Sequence, residues 1–357
     1  MTVLSQLSSR PGAIPATSVW WLTELAEARG RQELWTGQSP QKLKRLREHA
    51  LIESAVSSNR IEGVEIDEAR VGTVIFGRPL LQDRDEEEVA GYRDALSWIH
   101  AESDRIRVTE QTILELHRKA RGEIWDAGKY KERDADIIER DPHGRSRVRF
   151  RTVPAAETPA AVTRLVESWD LCLEERRIPP LLGLAAFNLD FLCIHPFRDG
   201  NGRVSRLLLL LQLYHLGFEV GRYISLERLI EEGKDRYYET LEQSSAGWHE
   251  GRADPWPYIN YILSVLRSAC RHLEERLGHL DSPKGEKTEL VQDAIRRQVA
   301  EFRLVDIERL CPGVGRDWIR TQLRRMREAG ELVCEGRGPA ARWRVVSRPP
   351  SEGSTLT

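Results

Sequence analysis

Apolar positions recur every three or four residues along most of the chain, which predicts a mainly helical protein. The first stretch is different. Residues 1–17 are rich in Ser, Pro and Gly and predict a loose arm. Ser18 then caps a helix running to about residue 29, with Trp20, Trp21 and Leu25 on its buried side. Pro40 opens a longer helix past Leu43, Leu46 and Ala50, stopped by Gly63. Three more helices are predicted across 67–127, begun by Asp67, by an acidic run at 85–88 and by Thr109. Tyr92, Leu96 and Trp98, then Ile113, Leu116 and His117, mark their periodic faces. The acidic run reads as a solvated first turn, favoured by the helix dipole.

From Gly128 the period shortens to two. Ile137-Ile138, the turn Asp141-Pro142-His143-Gly144 and Val148-x-Phe150-x-x-Val153 predict a β-hairpin over about 129–153. Arg140, Arg145, Arg147, Arg149 and Arg151 make it basic. Helices resume at 157–175 and 181–194, and the second is so uniformly apolar that it should be the central buried helix. A further buried helix is read at 207–216, another begins around Tyr237, Tyr238 and Leu241, and Asp254-Pro255 opens a long one to Leu280. Asp281-Ser282-Pro283-Lys284-Gly285 reads as a linker. Helices at 289–301, 305–310 and 316–329 follow, then strands at 332–334 and 343–346 around Gly336-Arg337-Gly338-Pro339.

The 357 residues exceed what one core usually takes, so two or three domains are expected. Apolar content of 40% and charged content of 31% suit a soluble globular protein, and a net charge of −2 gives no global pull towards nucleic acid or membrane. No apolar run approaches the length of a membrane span. The start of the chain lacks a basic segment followed by a long apolar one, so a cytoplasmic location is expected. Cys172, Cys193, Cys270, Cys311 and Cys334 are odd in number and widely spaced, and read as reduced core thiols with no metal spacing.

The chemistry concentrates in His195-Pro196-Phe197-Arg198-Asp199-Gly200-Asn201-Gly202-Arg203-Val204-Ser205-Arg206. Two glycines lead into an apolar helix, and a helix N-terminus offers unpaired N–H groups and a positive dipole end to an anion. Arg203 and Arg206 are three apart and share one face of the first turn, which suits neighbouring phosphates. Asp199 is a hard oxygen donor of the kind that holds magnesium. His195 can exchange a proton near neutral pH. The combination points to a reaction at a phosphate ester.

This stretch resembles the Fic (Fic/Doc) signature, H-x-F-x-D/E-G-N-G-R-x-x-R, with every specified position present. The resemblance implies a Fic-type helical core in which the hairpin is a flap docking a target's backbone. It implies a protein adenylyltransferase that moves AMP from ATP to a Ser, Thr or Tyr hydroxyl of another protein or of itself. His195 would be the base and Asp199 the Mg2+ ligand. Gly200, Asn201 and Gly202 would form the anion hole, and Arg203 and Arg206 would clamp the outer phosphates. Doc-like kinases depart from the pattern at the anion-hole and arginine positions. This chain does not, which favours nucleotidyl transfer.

A second stretch, Ser58-x-x-x-Glu62-Gly63, ends the helix predicted over 40–63. It reads as a glycine-capped C-terminus, yet a glutamate in the last turn opposes the dipole. It is similar to the inhibitory-helix motif of the same family, [S/T]-x-x-x-E-[G/N]. That resemblance implies a Glu62–Arg206 pair in the γ-phosphate seat, formed within one chain or across a homodimer. It also implies that a tyrosine near Tyr237 and Tyr238 lines the adenine pocket, although a core role suits both. An Asn often found seven residues on is Ser245 here, which puts base choice in doubt. The same pocket could run in reverse, with Glu62 positioning a water that removes AMP.

The tail resembles a winged helix, with Ile319, Leu323 and Met326 facing inward and Arg316, Arg320 and Arg324 outward. From Lys287 to Arg348 there are fourteen Lys and Arg against nine Asp and Glu, a net of +5. That is an electrostatic footprint for DNA, though winged helices also dock proteins. A DNA-binding regulator with a nucleotide-sensing or self-modifying core is therefore the second functional class. The expected layout is an N-terminal helical region at 1–105, the catalytic core at 106–280 and the winged helix at 286–348.

Overall fold

The computed structural model describes residues 2–9, 12–36, 40–64, 66–76, 81, 83–122, 124–140, 146–278, 286–298, 300–311, 314–336, 338 and 341–346. The chain forms two compact units, residues 1–66 with 74–273 and residues 67–73 with 274–357. Fifteen α-helices and two β-hairpins are present among the described residues.

The first unit is built around α8 (Pro180–Ile194) and α9 (Asn201–His215). Pro180 presets the first turn of α8, and the apolar run leaves it no polar face. Each residue from Leu181 to Ile194 is buried. Against α8 pack α1 (Val3–Ser9), α7 (Thr158–Glu175) and α11 (Lys234–Ser245). Against α9 pack α3 (Pro40–Ile61), α5 (Arg84–Glu102) and α6 (Glu110–Arg121). Asp83 and Thr109 cap α5 and α6 through their side-chain oxygens. The unit also holds α2 (Ala16–Thr36) and α10 (Leu226–Glu232), while α4 (Glu68–Phe76) and α12 (Trp256–Gly278) run across its boundaries at residues 73 and 273.

The predicted hairpin is present as β1 (Ile137–Arg140) and β2 (Ser146–Phe150), with Ile138 opposite Val148 and a register shift between Ile137 and Ile138. Its tip, including Asp141-Pro142-His143-Gly144 and Arg145, lies outside the described residues.

Two expectations fail near the N-terminus. The loose arm contains α1, whose first N–H groups find a buried anion. Val3 and Leu4 donate to the Asp190 carboxylate at 2.9 and 2.8 Å, and Trp248 Nε1 donates to it at 2.6 Å. Burial pushes the Asp190 carboxyl up to about 6, against the pull of those three donors. In α2 the buried side is Ser18, Leu25 and Ala28, and Trp20 is 69% exposed. Ser18 lies inside that helix and donates to Asn260 Oδ1, so it is not the cap.

The second unit has its own core, formed by Val291, Ile295, Ile307, Ile319, Leu323 and Met326 with Phe302 and Leu332. Its helices are α13 (Glu286–Arg296), α14 (Leu304–Leu310) and α15 (Arg316–Glu328), followed by the hairpin β3 (Leu332–Glu335) and β4 (Arg342–Val345). α13 ends five residues before the expected 301, because Phe302 leaves the helix to pair with Trp343 through two backbone hydrogen bonds. The predicted linker at 281–285, Pro312-Gly313, Arg337 and Pro339 lie outside the described residues.

Asp190→Leu should lower stability by roughly 2 kcal/mol or more, because three buried donors lose their acceptor. Urea unfolding would read the loss, and amide exchange over residues 3–9 should rise with it. Unchanged protection there would mean that α1 docks by apolar contact alone.

Candidate active site

Between α8 and α9 the chain reverses over six residues. His195 ends α8 in the left-handed region (φ 52°), as suits a residue that must stop a helix just before Pro196. Its Nδ1 lies 3.4 Å from the Leu192 carbonyl, which directs Nε2 away from the helix as the acceptor. The turn is locked by Asn201, whose side chain accepts from Phe197 N–H at 2.9 Å and donates to Phe197 O at 2.8 Å. Asn201 therefore contributes its backbone N–H to any anion site, since its amide is spent on the loop. Gly200 sits at φ +82°, and a Cβ there would press on His117 and Arg121. The first intrahelical bond of α9 runs from Val204 N–H to Gly200 O, so the N–H groups of 201–203 precede the ladder.

Glu62 fills the space in front of that N-terminus. A Cβ at Gly202 would collide with its Oε1 and stand 3.2 Å from Arg206 Nη1. Arg206 Nη2 donates to Glu62 Oε1 and to Ser58 O, at 2.8 and 2.9 Å, and Nε donates to Ser58 Oγ at 2.9 Å. Burial opposes the charge on Arg206, but Glu62, Tyr92 and Tyr237 together hold it more firmly protonated than usual. Arg206 Nη1 is buried and meets no acceptor among the described residues. Gly63 takes φ +81° and turns the chain out of α3, so its part is conformational.

Asp199 is half-exposed. It accepts from Gly200 N–H at 2.6 Å, from Arg121 at 2.8 Å and from Arg84 at 3.1 Å. Burial raises its carboxyl, but Arg203, Arg121, the Gly200 N–H and Arg84 hold it below the ordinary range. No group of three His, Cys, Asp or Glu side chains lies close enough to hold a metal among the described residues. A single carboxylate fits only an ion that brings its remaining ligands with a nucleotide, as magnesium does with phosphates.

Arg203 is 1% exposed. It bonds Glu88 at 2.6 Å, Asn59 at 3.4 Å and Asp199 at 3.5 Å. Glu88 corrects the reading of the acidic run, since Glu86 and Glu88 are both 2% exposed. The sequence held the signal: Glu88 is four residues before Tyr92 on the same face as Ala95 and Ile99. His117, on the periodic face with Ile113 and Leu116, also belongs to the site. Its ring stacks on Phe197 at 3.7 Å, its Nδ1 accepts from Gly128 N–H, and its Nε2 lies 3.1 Å from Asp199 O. The hairpin is tied to the same turn, because Lys131 donates from its N–H to Pro196 O and from Nζ to Thr152 Oγ1 and Ile194 O.

Tyr238 fronts the site. Its hydroxyl donates to Ile61 O at 3.3 Å, and its ring lies under the Arg149 guanidinium of β2. Tyr237 is 2% exposed among Tyr258 and Tyr261, a core residue. Ser245 is buried and donates to Glu242 O. Arg316, Arg320 and Arg324 belong to the second unit. A cavity of about 570 Å³ lies beside this turn and not on it, lined by Thr2, Val153, Ile194, Trp248 and His249 among others.

Residues 107–213, which carry this turn, match the Fic/DOC family model. The protein carries a Fic domain. Its chain is similar to the protein adenylyltransferase Fic of Nematostella vectensis, 27% identical over 234 residues, 62% of this chain and 48% of that one. The protein of the same name from Drosophila erecta is 24% identical over 282 residues, 73% of this chain and 52% of that one. The chain thus spans about half the length of these relatives. A Fic family protein from Desulfovibrio desulfuricans shares the fold over 97% of this chain and 99% of its own, with a TM-score of 0.60 at 24% identity. Fic-1 from C. elegans does so over 78% and 81%, with a TM-score of 0.57 at 19% identity. No helix among the described residues is long and apolar enough to cross a membrane.

Burial, and then Lys131, push His195 down to about 4, and burial with Arg121 and Arg203 does the same to His117. In the unfolded chain both return to about 6.5. The unfolded state therefore binds more protons below that pH, and their contribution is full above 6.5 and lost as pH falls towards 4. The Fic domain should melt at a lower temperature at pH 5 than at pH 7, and His117→Gln should flatten that dependence. An equal slope in the variant would remove His117 from the account.

Proposed function

We propose that the protein is an adenylyltransferase that transfers AMP from ATP to a protein hydroxyl, and that Glu62 holds it off. The observation that carries this reading is the carboxylate lodged over Gly202 at the N-terminus of α9. A seat at a helix N-terminus that holds a carboxylate against Arg206 suits a phosphate.

In this reading the N–H groups of 201–203 cradle the phosphates, and Arg206 turns its unmet Nη1 to the outermost one once Glu62 leaves. Arg203 stays buried and shapes the site from behind. Neutral His195 takes the proton of the target hydroxyl at Nε2 as that oxygen bonds to the α-phosphorus, and the bond to pyrophosphate breaks. Asp199 would hold Mg2+, which when bound neutralises developing phosphate charge. Tyr238 stands where an adenine could stack. The partner is a protein with an accessible hydroxyl, or a second copy of this chain, met along the edge of β1 and β2.

Label on the α-phosphate of ATP should pass to protein with Glu62→Gly and hardly at all with wild type. His195→Ala in that background should reduce transfer by roughly 10²–10⁴-fold. Transfer of γ-phosphate label instead would mark a kinase. Loss of AMP from a modified protein only when Glu62 is present would mark the reverse reaction.

A second reading concerns the second unit, which has the element order of a winged helix. On α15, Arg324 and Arg327 are exposed and carry no ion pair among the described residues. Arg316 and Arg320 are already paired with Glu308 and Asp317, so of the three arginines first singled out only Arg324 is available. This favours a DNA-phosphate surface. Duplex binding should weaken when Arg324 and Arg327 become Ala, and its salt slope should drop by about 2. No binding of any duplex at low salt would discard this reading.

A further inference from the structure

Every guanidinium that touches Asp199 among the described residues also touches Glu88. Arg84 reaches Glu88 Oε1 with Nε at 2.9 Å and Asp199 Oδ2 with Nη2 at 3.1 Å. Arg121 Nη1 lies 2.7 Å from Glu88 Oε1 and 2.8 Å from Asp199 Oδ2. Arg203 Nη1 lies 2.6 Å from Glu88 Oε2, and its Nη2 is 3.5 Å from Asp199 Oδ1. Two carboxylates thus share three guanidinium groups. The side chains of Glu88, Arg121 and Arg203 are 1–3% exposed, whereas Arg84 is 60% and Asp199 46% exposed.

A buried ionic cluster of this kind is a poor way to gain stability, because desolvation offsets much of the attraction. It is a good way to fix geometry and charge around one oxygen. Arg84 and Arg121 both donate to Asp199 Oδ2, so an incoming cation must displace at least one of them. Arg121 is walled in and also bonded to Asp126. Arg84 is the exposed member, at the first turn of α5.

We propose that Glu88 is a positioning residue for the cation and phosphate end of the site. It anchors Arg121 and Arg203 against Asp199 and leaves Arg84 as the gate that withdraws when a divalent cation takes Asp199 Oδ2. The proposal rests on the adenylyl-transfer reading only for the nucleotide that accompanies the cation. The electrostatics have opposite signs at the two residues. Without the Glu88 charge, three guanidinium groups turn on Asp199 alone and repel the cation. Without Arg84, one competitor for Oδ2 is gone and the cation binds more easily.

The test uses the full chain carrying Glu62→Gly, titrated with Mn2+ alone and then with Mn2+ and α,β-methylene-ATP, following free Mn2+ by its EPR signal. Glu88→Gln should weaken Mn2+ binding about tenfold. Glu88→Asp, which keeps the charge, should recover part of that loss. Arg84→Ala should strengthen binding several-fold. A purely structural Glu88 would not move the two sites in opposite directions. Unchanged Mn2+ binding in Glu88→Gln, or a shift of Arg84→Ala in the same sense, would overturn the proposal. If Glu88→Gln does not fold, Glu88→Asp and Arg84→Ala decide between the same outcomes. Transfer of α label by the parent is read separately. Its absence beside opposite Mn2+ shifts would sink the reaction and leave Glu88 in place. Its presence beside unchanged Mn2+ binding would do the reverse.

Discussion

A helix that begins inside a protein must find an anion for its first N–H groups, or leave them unmet in a poor solvent. α9 begins this way: Asn201 is 2% exposed and the residues from Arg203 to Tyr214 are buried. The surrounding structure is arranged by that requirement. α8 ends in a left-handed histidine so that the chain can turn, and Asn201 locks the turn. α3 leads into Glu62, whose carboxylate stands over Gly202 on Arg206, and α5 and α6 supply the charges behind the turn. The seat suits a negative group, and under the proposed reading Glu62 and a nucleotide phosphate compete for it.

The two acidic side chains at the turn use different partners. Glu62 is held by Arg206 at the far side of the turn, while Asp199 is hemmed by Arg84, Arg121 and Arg203 at the near side. One arginine of the signature therefore answers to α3 and the other to α5. A tethered anion acts at a high effective concentration, so a free one prevails only if α3 shifts or if the free ligand makes more contacts than Glu62 does.

Much of this was legible in the residues. The buried helices followed from unbroken apolar runs, and His195 to Arg206 pointed to phosphate chemistry through the spacing of the set and not through any one residue. A glutamate in a last turn asks for an explanation, and the resemblance of its stretch to the inhibitory motif named Arg206 as the partner the structure shows. What escaped depended on tertiary packing. Glu88 sits in an acidic run whose simplest meaning is solvation, and only the approach of α6 and α9 turns that carboxylate inward. His117 lies on an apolar stripe and looks like any core residue until Phe197 stacks on it. α1 could not be foreseen, because a seven-residue helix has little propensity of its own and forms where Asp190 accepts its first N–H groups.

That last attachment bears on how the protein can be handled. Asp190 lies on the same buried helix as His195, five residues and little more than one turn before it. The backbone at Val3 is plugged into that helix, and Leu4 is wholly enclosed. An affinity tag or fluorophore joined ahead of residue 2 would thus be attached to the helix that ends at His195. A label placed in the second unit leaves that attachment untouched.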